Sequence, residues 1–250
     1  MNYKGLLGRA GRAWTMFRVH GPRHFVATLA TWIRGRFGSQ SAEQRAYLNN
    51  KAAADAAFDA AAGVRTGGVQ HLYDLTIKSE NARFGTNHIA SDPTEFNRAI
   101  ARIDFDLTDT TFIDLGSGRG RALMMAAMLP FKKVIGVEFA QELHQDSVEN
   151  IRTSALDLGR RDRITPILGD ATQLEFPDGP LVLYLYNPFD APIVAAVARN
   201  AIASWRAQPR SMRVIYINPI FSDEWLRAGW QLVEAGEGRA IFRPGNQRPS

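Results

Sequence analysis

The hydrophobic residues in the second half of the chain form short continuous runs that alternate with longer amphipathic segments. Five runs predict strands, at residues 111–115, 133–138, 164–168, 181–186 and 214–217. Helical periodicity predicts helices among them, at residues 121–128, 140–156 and 191–205. Because the strands are apolar throughout and separated by helices, we expect a parallel sheet that is covered on both faces. The last runs, 230–234 and 240–242, predict an antiparallel hairpin at the edge of that sheet.

The first half of the chain carries fewer strand signals and more helical ones. The alanine-rich stretch 51–62 predicts a helix that ends at Gly63. Residues 71–103 are polar and rich in turn-forming residues, and they finish in a helical pattern. Ser91 or Asp92 is well placed to cap the start of that last helix.

The net charge of +5 is distributed unevenly along the 250 residues. Residues 1–42 hold seven basic residues and no acidic one, whereas the rest of the chain holds 23 basic and 25 acidic residues. The basicity therefore belongs to an arm. Its aromatic and aliphatic residues leave three interpretations open: an amphipathic helix on an anionic surface, a nucleic-acid contact, or a solvated helix packed on the body.

Several classes of protein are disfavoured by what the sequence lacks. Its N-terminal apolar stretch, 25–33, is interrupted by Thr28 and Thr31 and is too short to cross a bilayer. A secretory signal also fits poorly, because Arg12, Arg18 and Arg23 interrupt the early apolar stretch and no clean small-residue cleavage site follows it. The chain has no cysteine, so disulfides and thiolate nucleophiles are excluded. We expect a cytoplasmic protein, with peripheral binding to a membrane as an option for the arm.

Three glycines at alternate positions lie between the first predicted strand of the sheet and the next helix. The sequence runs from Asp114 through Gly116, Gly118 and Gly120 to Arg121. A nicotinamide dinucleotide fingerprint would have its third glycine where Arg121 stands. The spacing resembles instead motif I of the class I S-adenosylmethionine-dependent methyltransferases.

Further residues fall where this resemblance requires them. Glu138 ends the second strand, where the family binds the ribose hydroxyls, and Asp170 follows the third, where it binds the adenine amino group. The strand 181–186 runs into residues 187–190, the position of the family's motif IV. The resemblance implies S-adenosylmethionine as cofactor, bound by Asp114, Gly116, Ser117, Gly118, Gly120, Glu138, Asp170, Ala171 and Asn187. It implies a catalytic segment formed by Asn187, Pro188, Phe189 and Asp190.

The resemblance also implies the fold and the organisation of the chain. We expect an α/β protein with a Rossmann-like, doubly wound, mostly parallel sheet, an antiparallel hairpin at its C-terminal edge and an N-terminal helical extension. Residues 1–45 would form the basic amphipathic arm, residues 46–105 a helical cap or lid, and residues 106–250 the domain that binds the cofactor and carries out catalysis.

The methyl acceptor is less well defined by the sequence. Asn-Pro-Phe at 187–189 is similar to the Asn/Asp-Pro-Pro-Tyr/Phe motif of methyltransferases that act on amide or exocyclic amino nitrogens, but the second proline is missing, which displaces Phe189 by one position. A looser similarity to protein lysine methyltransferases without a SET domain would make Phe84, Thr86 and Thr94 lid or pocket residues. Asp190 is either a base for an amine or the cap of the next helix. We expect a nitrogen acceptor, with protein, small amine and nucleic acid all open.

Two other functions remain as alternatives. The first is a methyltransferase-like binding module without catalytic activity, held on an anionic surface by residues 1–42. The second is a nicotinamide-dependent oxidoreductase of Rossmann type, which Arg121 disfavours. The five histidines show no metal-ligand spacing, so we expect no catalytic metal.

Overall fold

The computed structural model describes residues 42–236 and 238–245. The predicted arm, residues 1–45, lies almost entirely outside the described residues, and its contact with an anionic surface stays a prediction. Within the described ranges, no helix is long and apolar enough to cross a membrane.

A sheet of seven strands forms the centre of the protein. Its strands are β3 (Thr111–Leu115), β4 (Lys133–Glu138), β5 (Ile164–Leu168), β6 (Leu181–Tyr186), β7 (Met212–Ile217), β8 (Trp230–Gly236) and β9 (Arg239–Pro244). The spatial order is β5-β4-β3-β6-β7-β9-β8, and the first five strands are parallel to one another. β9 runs antiparallel to both β7 and β8. This confirms the predicted Rossmann-like, doubly wound sheet with an antiparallel edge hairpin.

Seven helices accompany the sheet in the described part of the chain. They are α1 (Ala42–Ala62), α2 (Pro93–Ile100), α3 (Arg121–Ala127), α4 (Gln141–Thr153), α5 (Leu158–Arg161), α6 (Ala191–Ala207) and α7 (Ser222–Arg227). The Asp92 side chain accepts hydrogen bonds from the N–H groups of Thr94 and Glu95, which confirms the predicted start of α2. α4 is shorter than predicted, because Ser154 leaves the helical conformation with ψ of 156°.

Both faces of the sheet are covered by apolar side chains. On one face, α2 and α3 pack over Phe112 and Tyr184, and Phe96 meets both rings at centroid distances of 5.8 and 5.5 Å. On the other face, α6 and α7 bury an aliphatic and aromatic layer that includes Trp225. Burial on both sides explains why the parallel strands are apolar throughout rather than alternating.

The chain reverses its winding direction between β3 and β6, which opens a crevice at the carboxyl ends of these strands. Residues 72–91, called the cap segment below, cross this end of the sheet. The cap segment includes two 3₁₀ turns, Leu72–Asp74 and Glu80–Phe84, and ends beyond β2 (His88–Ile89), which pairs with β1 (Val69–Gln70). Single antiparallel bridges join Ile77 to Ala140 and Gly85 to Phe189. The fold therefore places the candidate site between the sheet and the cap segment.

The edge hairpin depends on one buried aromatic cluster. Trp225 is 0% exposed and packs edge-on against Trp230 and in a stack with Phe242. We expect Trp225→Ala to lower the free energy of unfolding by about 3–5 kcal/mol, because it leaves a large cavity in a close-packed layer. Val233→Ala, at a position that is 52% exposed on the same hairpin, is the control and is expected to change it by less than about 0.5 kcal/mol. Urea denaturation measures both; equal effects would contradict the packing described.

Candidate active site

The glycine loop has a backbone conformation that residues other than glycine rarely adopt. Gly116, Gly118 and Gly120 have φ of 82°, 53° and 84°. A Cβ atom on Gly116 would collide with the Pro188 ring, and one on Gly118 would collide with the His88 imidazole. The loop thus touches the cap segment and the segment after β6 at once, and the glycines are required by this close approach as well as by φ.

A cleft lies over the loop, at the carboxyl ends of β3 and β4. Its walls come from the glycine loop, the strand ends, the cap segment and the segment after β6. The lining includes Thr86, His88, Asp114, Arg121, Glu138 and Phe189. Ser117 also lines it, as predicted for a cofactor site, and is buried.

Asp114 is the last but one residue of β3, and its carboxylate is buried in the cleft with 4% of the residue exposed. No hydrogen-bond donor or cation within the described ranges contacts this carboxylate. Burial, and secondarily the charge of Glu138, raise the pKa of Asp114 well above its ordinary value. A buried carboxylate facing a cleft without a partner matches the ammonium group of a bound S-adenosylmethionine, so the donor set fits the predicted cofactor.

Glu138 ends β4 and is turned toward the glycine loop. Its Oε2 accepts a hydrogen bond from the Gly118 N–H at 2.8 Å and its Oε1 accepts one from the Ala140 N–H at 2.9 Å. Burial raises the pKa of Glu138 to about 7, although these N–H groups oppose the shift. Each carboxylate oxygen retains a lone pair, so the predicted ribose contact is compatible with this arrangement.

The Asp170 carboxylate is already hydrogen-bonded within the protein, unlike a carboxylate that is free to bind adenine. One carboxylate oxygen accepts hydrogen bonds from the Ser79 hydroxyl at 2.5 Å and the Asn81 amide at 2.8 Å, and the other accepts from the Thr172 N–H and hydroxyl at 2.8 and 2.7 Å. Burial alone would raise the pKa of Asp170, but these bonds together lower it. Its capacity to accept is therefore filled, partly by the cap segment, and the neighbouring Ala171 is buried.

The predicted motif IV is tied to the cap segment through backbone atoms. The Thr86 hydroxyl donates to the Asn187 carbonyl at 2.9 Å, and the Thr86 N–H donates to the Pro188 carbonyl at 3.1 Å. The Asp190 N–H donates to the Phe84 carbonyl at 2.7 Å. The cap segment and motif IV thus form one continuous wall of the cleft, whereas Thr94 is exposed on α2 and is absent from the lining.

Side chains of motif IV point in different directions. Phe189 is 5% exposed and meets Phe139 edge-on at 6.3 Å, so it belongs to the wall of the cleft. The Asn187 side chain lies toward β7, where its Oδ1 accepts a hydrogen bond from the Tyr216 hydroxyl at 3.0 Å. Asp190 occupies the N-cap position of α6, but its side chain accepts no capping hydrogen bond. The predicted cap interaction is therefore missing.

Arg121 stands where the dinucleotide fingerprint would have its third glycine. Its guanidinium is engaged in contacts within the protein. Its guanidinium donates to Asp55 at 2.5 Å and to Thr66 at 2.7 Å, and it contacts Asp59 at 3.3 Å. It also lies 4.7 Å from the centre of the Phe58 ring. The only arginine lining the cleft, among the residues that the structure describes, is therefore neutralised by two aspartates.

Sequence reasoning missed several residues that build the site. Ser79 and Asn81 hold Asp170, His88 covers Gly118, and Tyr216 orients Asn187. No local motif marks these residues, since each reaches the site from a distant part of the chain. Over the described ranges, no group of three or more potential metal ligands is present.

Comparison with solved structures finds several methyltransferases with partial structural similarity to this chain. A glycopeptide N-methyltransferase, MtfA, is 13% identical with a TM-score of 0.45, and the match covers 61% of this chain and 93% of that one. Magnesium protoporphyrin IX methyltransferase from Synechocystis PCC 6803 is 14% identical with a TM-score of 0.47, over 60% of this chain and 77% of that one. The methyltransferase domain of bacterial CtHen1-C is 15% identical with a TM-score of 0.47, over 61% and 98%.

No curated protein matches the sequence. Residues 40–211, however, match the family described as protein-L-isoaspartate(D-aspartate) O-methyltransferase, PCMT. This stretch covers more than half of the chain and includes the glycine loop, Glu138, Asp170 and motif IV. The chain therefore belongs to the PCMT family and is a class I methyltransferase that depends on S-adenosylmethionine.

Proposed function

We propose that this enzyme methylates a nitrogen atom, that of a protein lysine or another amine. S-adenosylmethionine, when bound, supplies a methyl group on a positively charged sulfur, which an amine lone pair displaces in line. The chain's own residues then have to bind the cofactor, align the amine and exclude water. The predicted set around Asp114 and Glu138 would bind the cofactor, and residues 187–190 would align the acceptor.

The proposal of a nitrogen acceptor rests on the sign of the charge around the cleft. Asp114 and Glu138 line it, and Asp190 lies close enough to Tyr216 to help raise its pKa, although burial is the main cause. Arg121 offers no free positive charge, because Asp55 and Asp59 neutralise it. Such surroundings favour an amine over an anionic acceptor.

A carboxylate oxygen is the second candidate, because the matching family is described by O-methylation of L-isoaspartyl and D-aspartyl groups in proteins. A carboxylate acceptor would approach the acidic cleft against electrostatic repulsion. It would also need hydrogen-bond donors, which the amide of Asn187 offers through its nitrogen. We therefore propose the amine as the acceptor, and methyl ester formation is the outcome to be tested against it.

The type of bond formed separates the two acceptors. We expect the enzyme to transfer radiolabelled methyl groups from S-adenosylmethionine to a lysine-containing peptide or to proteins of a cell extract, in a form that resists alkali. The control acceptor is a peptide with one L-isoaspartyl residue and no lysine or free amine. Label released as methanol at alkaline pH would identify methyl esters and would contradict the nitrogen acceptor.

Cofactor binding depends on the unpartnered charge of Asp114. We expect Asp114→Asn to weaken S-adenosylmethionine binding by roughly 30- to 4,000-fold, as for the loss of one partner of a buried charge pair. Stability should stay equal or rise, because the substitution removes a buried charge. The matched control is Asp109→Asn, since the Asp109 side chain is 78% exposed before β3. Calorimetric titration and thermal unfolding measure both effects; unchanged affinity in Asp114→Asn would refute the assignment.

Protonation of Glu138 should be linked to cofactor binding. The raised pKa means that the folded protein holds a proton on Glu138 between pH 4.5 and about 7 that the unfolded chain releases. This group therefore makes the free energy of unfolding fall as pH rises through that window. A bound sulfonium and ammonium favour the ionised carboxylate, so we expect proton release on binding near pH 7. Titration in buffers of different ionisation enthalpy measures it, and release equal to wild type in Glu138→Gln would contradict the linkage.

A further inference from the structure

The segment after β6 has a counterpart after β7. Residues 184–188 read Tyr-Leu-Tyr-Asn-Pro, and residues 215–219 read Ile-Tyr-Ile-Asn-Pro. The register of the two parallel strands pairs Tyr184 with Ile215 and Tyr186 with Ile217. Sequence alignment and strand register therefore agree, and they bring Asn187 and Asn218 side by side at the carboxyl end of the sheet.

The two asparagines share an unusual backbone conformation. Asn187 has φ of 43° and Asn218 has φ of 49°, and they are the only non-glycine residues with positive φ in the part of the chain that the structure describes. This conformation is disfavoured for residues with a side chain, although asparagine tolerates it better than most. A strained turn that is repeated at the carboxyl ends of two neighbouring strands, one of which leads into motif IV, indicates that the two amides are held there for a function.

The surrounding hydrogen bonds leave the two amides in different states. The Tyr216 hydroxyl donates to the Asn187 Oδ1 at 3.0 Å, which fixes the orientation of that amide. Asn218 uses its backbone N–H for Gly238 and its carbonyl for Ile220. The Asn218 side chain is exposed and has no hydrogen-bond partner among the residues the structure describes. One amide is thus oriented with one lone pair left on its oxygen, and the other is uncommitted.

We propose that Asn218 is a second acceptor-binding residue, and that the amide oxygens of Asn187 and Asn218 hold the two N–H groups of the acceptor amine. Two acceptors that bind the hydrogens of one tetrahedral nitrogen at about 2.9 Å lie roughly 4.7 Å apart. Adjacent strands of a sheet are separated by about 4.8 Å, so side chains carried by neighbouring strand ends can reach this spacing. With both hydrogens held, the nitrogen lone pair has one direction left, in which the methyl group must lie.

This assignment rests on the proposed nitrogen acceptor and goes beyond it by naming the groups that orient the amine. An amine needs hydrogen-bond acceptors, and an amide oxygen provides one without the charge that would keep an ammonium protonated. A pair of aspartates at these positions would stabilise the protonated ammonium form, in which the nitrogen has no lone pair available for methylation. Two neutral amides therefore suit the deprotonated nucleophile better than carboxylates do.

The substitution Asn218→Gly tests the role without disturbing the turn. Glycine adopts φ of 49° without strain, so the variant removes the amide and keeps the backbone. The full chain, labelled with ¹⁵N and saturated with S-adenosylhomocysteine, is titrated with n-butylamine and, separately, with butyrate. Side-chain amide signals are followed by NMR, and the signals missing from Asn218→Gly and Asn187→Gly identify the two residues. Asn200 on α6, whose amide donates to the Thr172 carbonyl, is the internal control.

We expect n-butylamine to shift the Asn187 and Asn218 signals together and to leave the Asn200 signal in place. In Asn218→Gly, n-butylamine binding should weaken by about 3- to 10-fold, the effect of one hydrogen bond, while S-adenosylhomocysteine affinity is unchanged. A shift confined to Asn187, or no shift with either probe, would overturn the role of Asn218 and leave the nitrogen acceptor standing. A shift of Asn218 with butyrate and none with n-butylamine would overturn the nitrogen acceptor as well.

Discussion

Two carboxylates buried side by side at the ends of adjacent strands are the constraint on which the rest of the site depends. Neither Asp114 nor Glu138 has a cationic partner within the described residues, and burial raises the pKa of both. Such an arrangement is unfavourable for the folded chain by itself, and a ligand with two positive centres relieves it. The proposed binding of the cofactor by these two side chains would therefore offset an arrangement that is unfavourable for the stability of this end of the sheet.

The remaining architecture keeps these carboxylates buried. The cap segment crosses the strand ends, and its residue His88 lies directly against Gly118, where no larger residue would fit. Arg121 holds the surroundings in place, because its guanidinium joins Asp55 and Asp59 of α1, Thr66 and the Ser91 carbonyl to the start of α3. A buried arginine with two carboxylates contributes to the specificity of this arrangement more than to its net stability. Because these carboxylates neutralise the charge of Arg121, the cleft remains acidic.

Much of the fold follows from the sequence because the information is local. Continuous apolar runs defined four strands to the residue, and the glycine loop and Asp92 marked two helix starts. The contacts that complete the site are long-range, as when Ser79 and Asn81 bind Asp170 from about ninety positions away. Periodicity and turn chemistry carry no signal for such contacts, since the residues involved have no fixed spacing. The repeated Asn-Pro turn was visible in the sequence, but only the register of β6 and β7 gives it meaning.

The state of Asp170 connects the cap segment to the cofactor cleft. Its four hydrogen bonds fill the acceptor capacity of one carboxylate, and two of the donors, Ser79 and Asn81, belong to the cap segment. A ligand amino group that approaches this carboxylate competes with those two donors, whereas the Thr172 bonds are local to the turn that Asp170 caps. The competition acts on the same segment that carries Thr86, whose hydroxyl and N–H hold motif IV. The proposed adenine recognition and acceptor alignment would thereby be linked through one stretch of chain, because a donor lost at Ser79 would loosen the segment that holds Asn187 and Pro188.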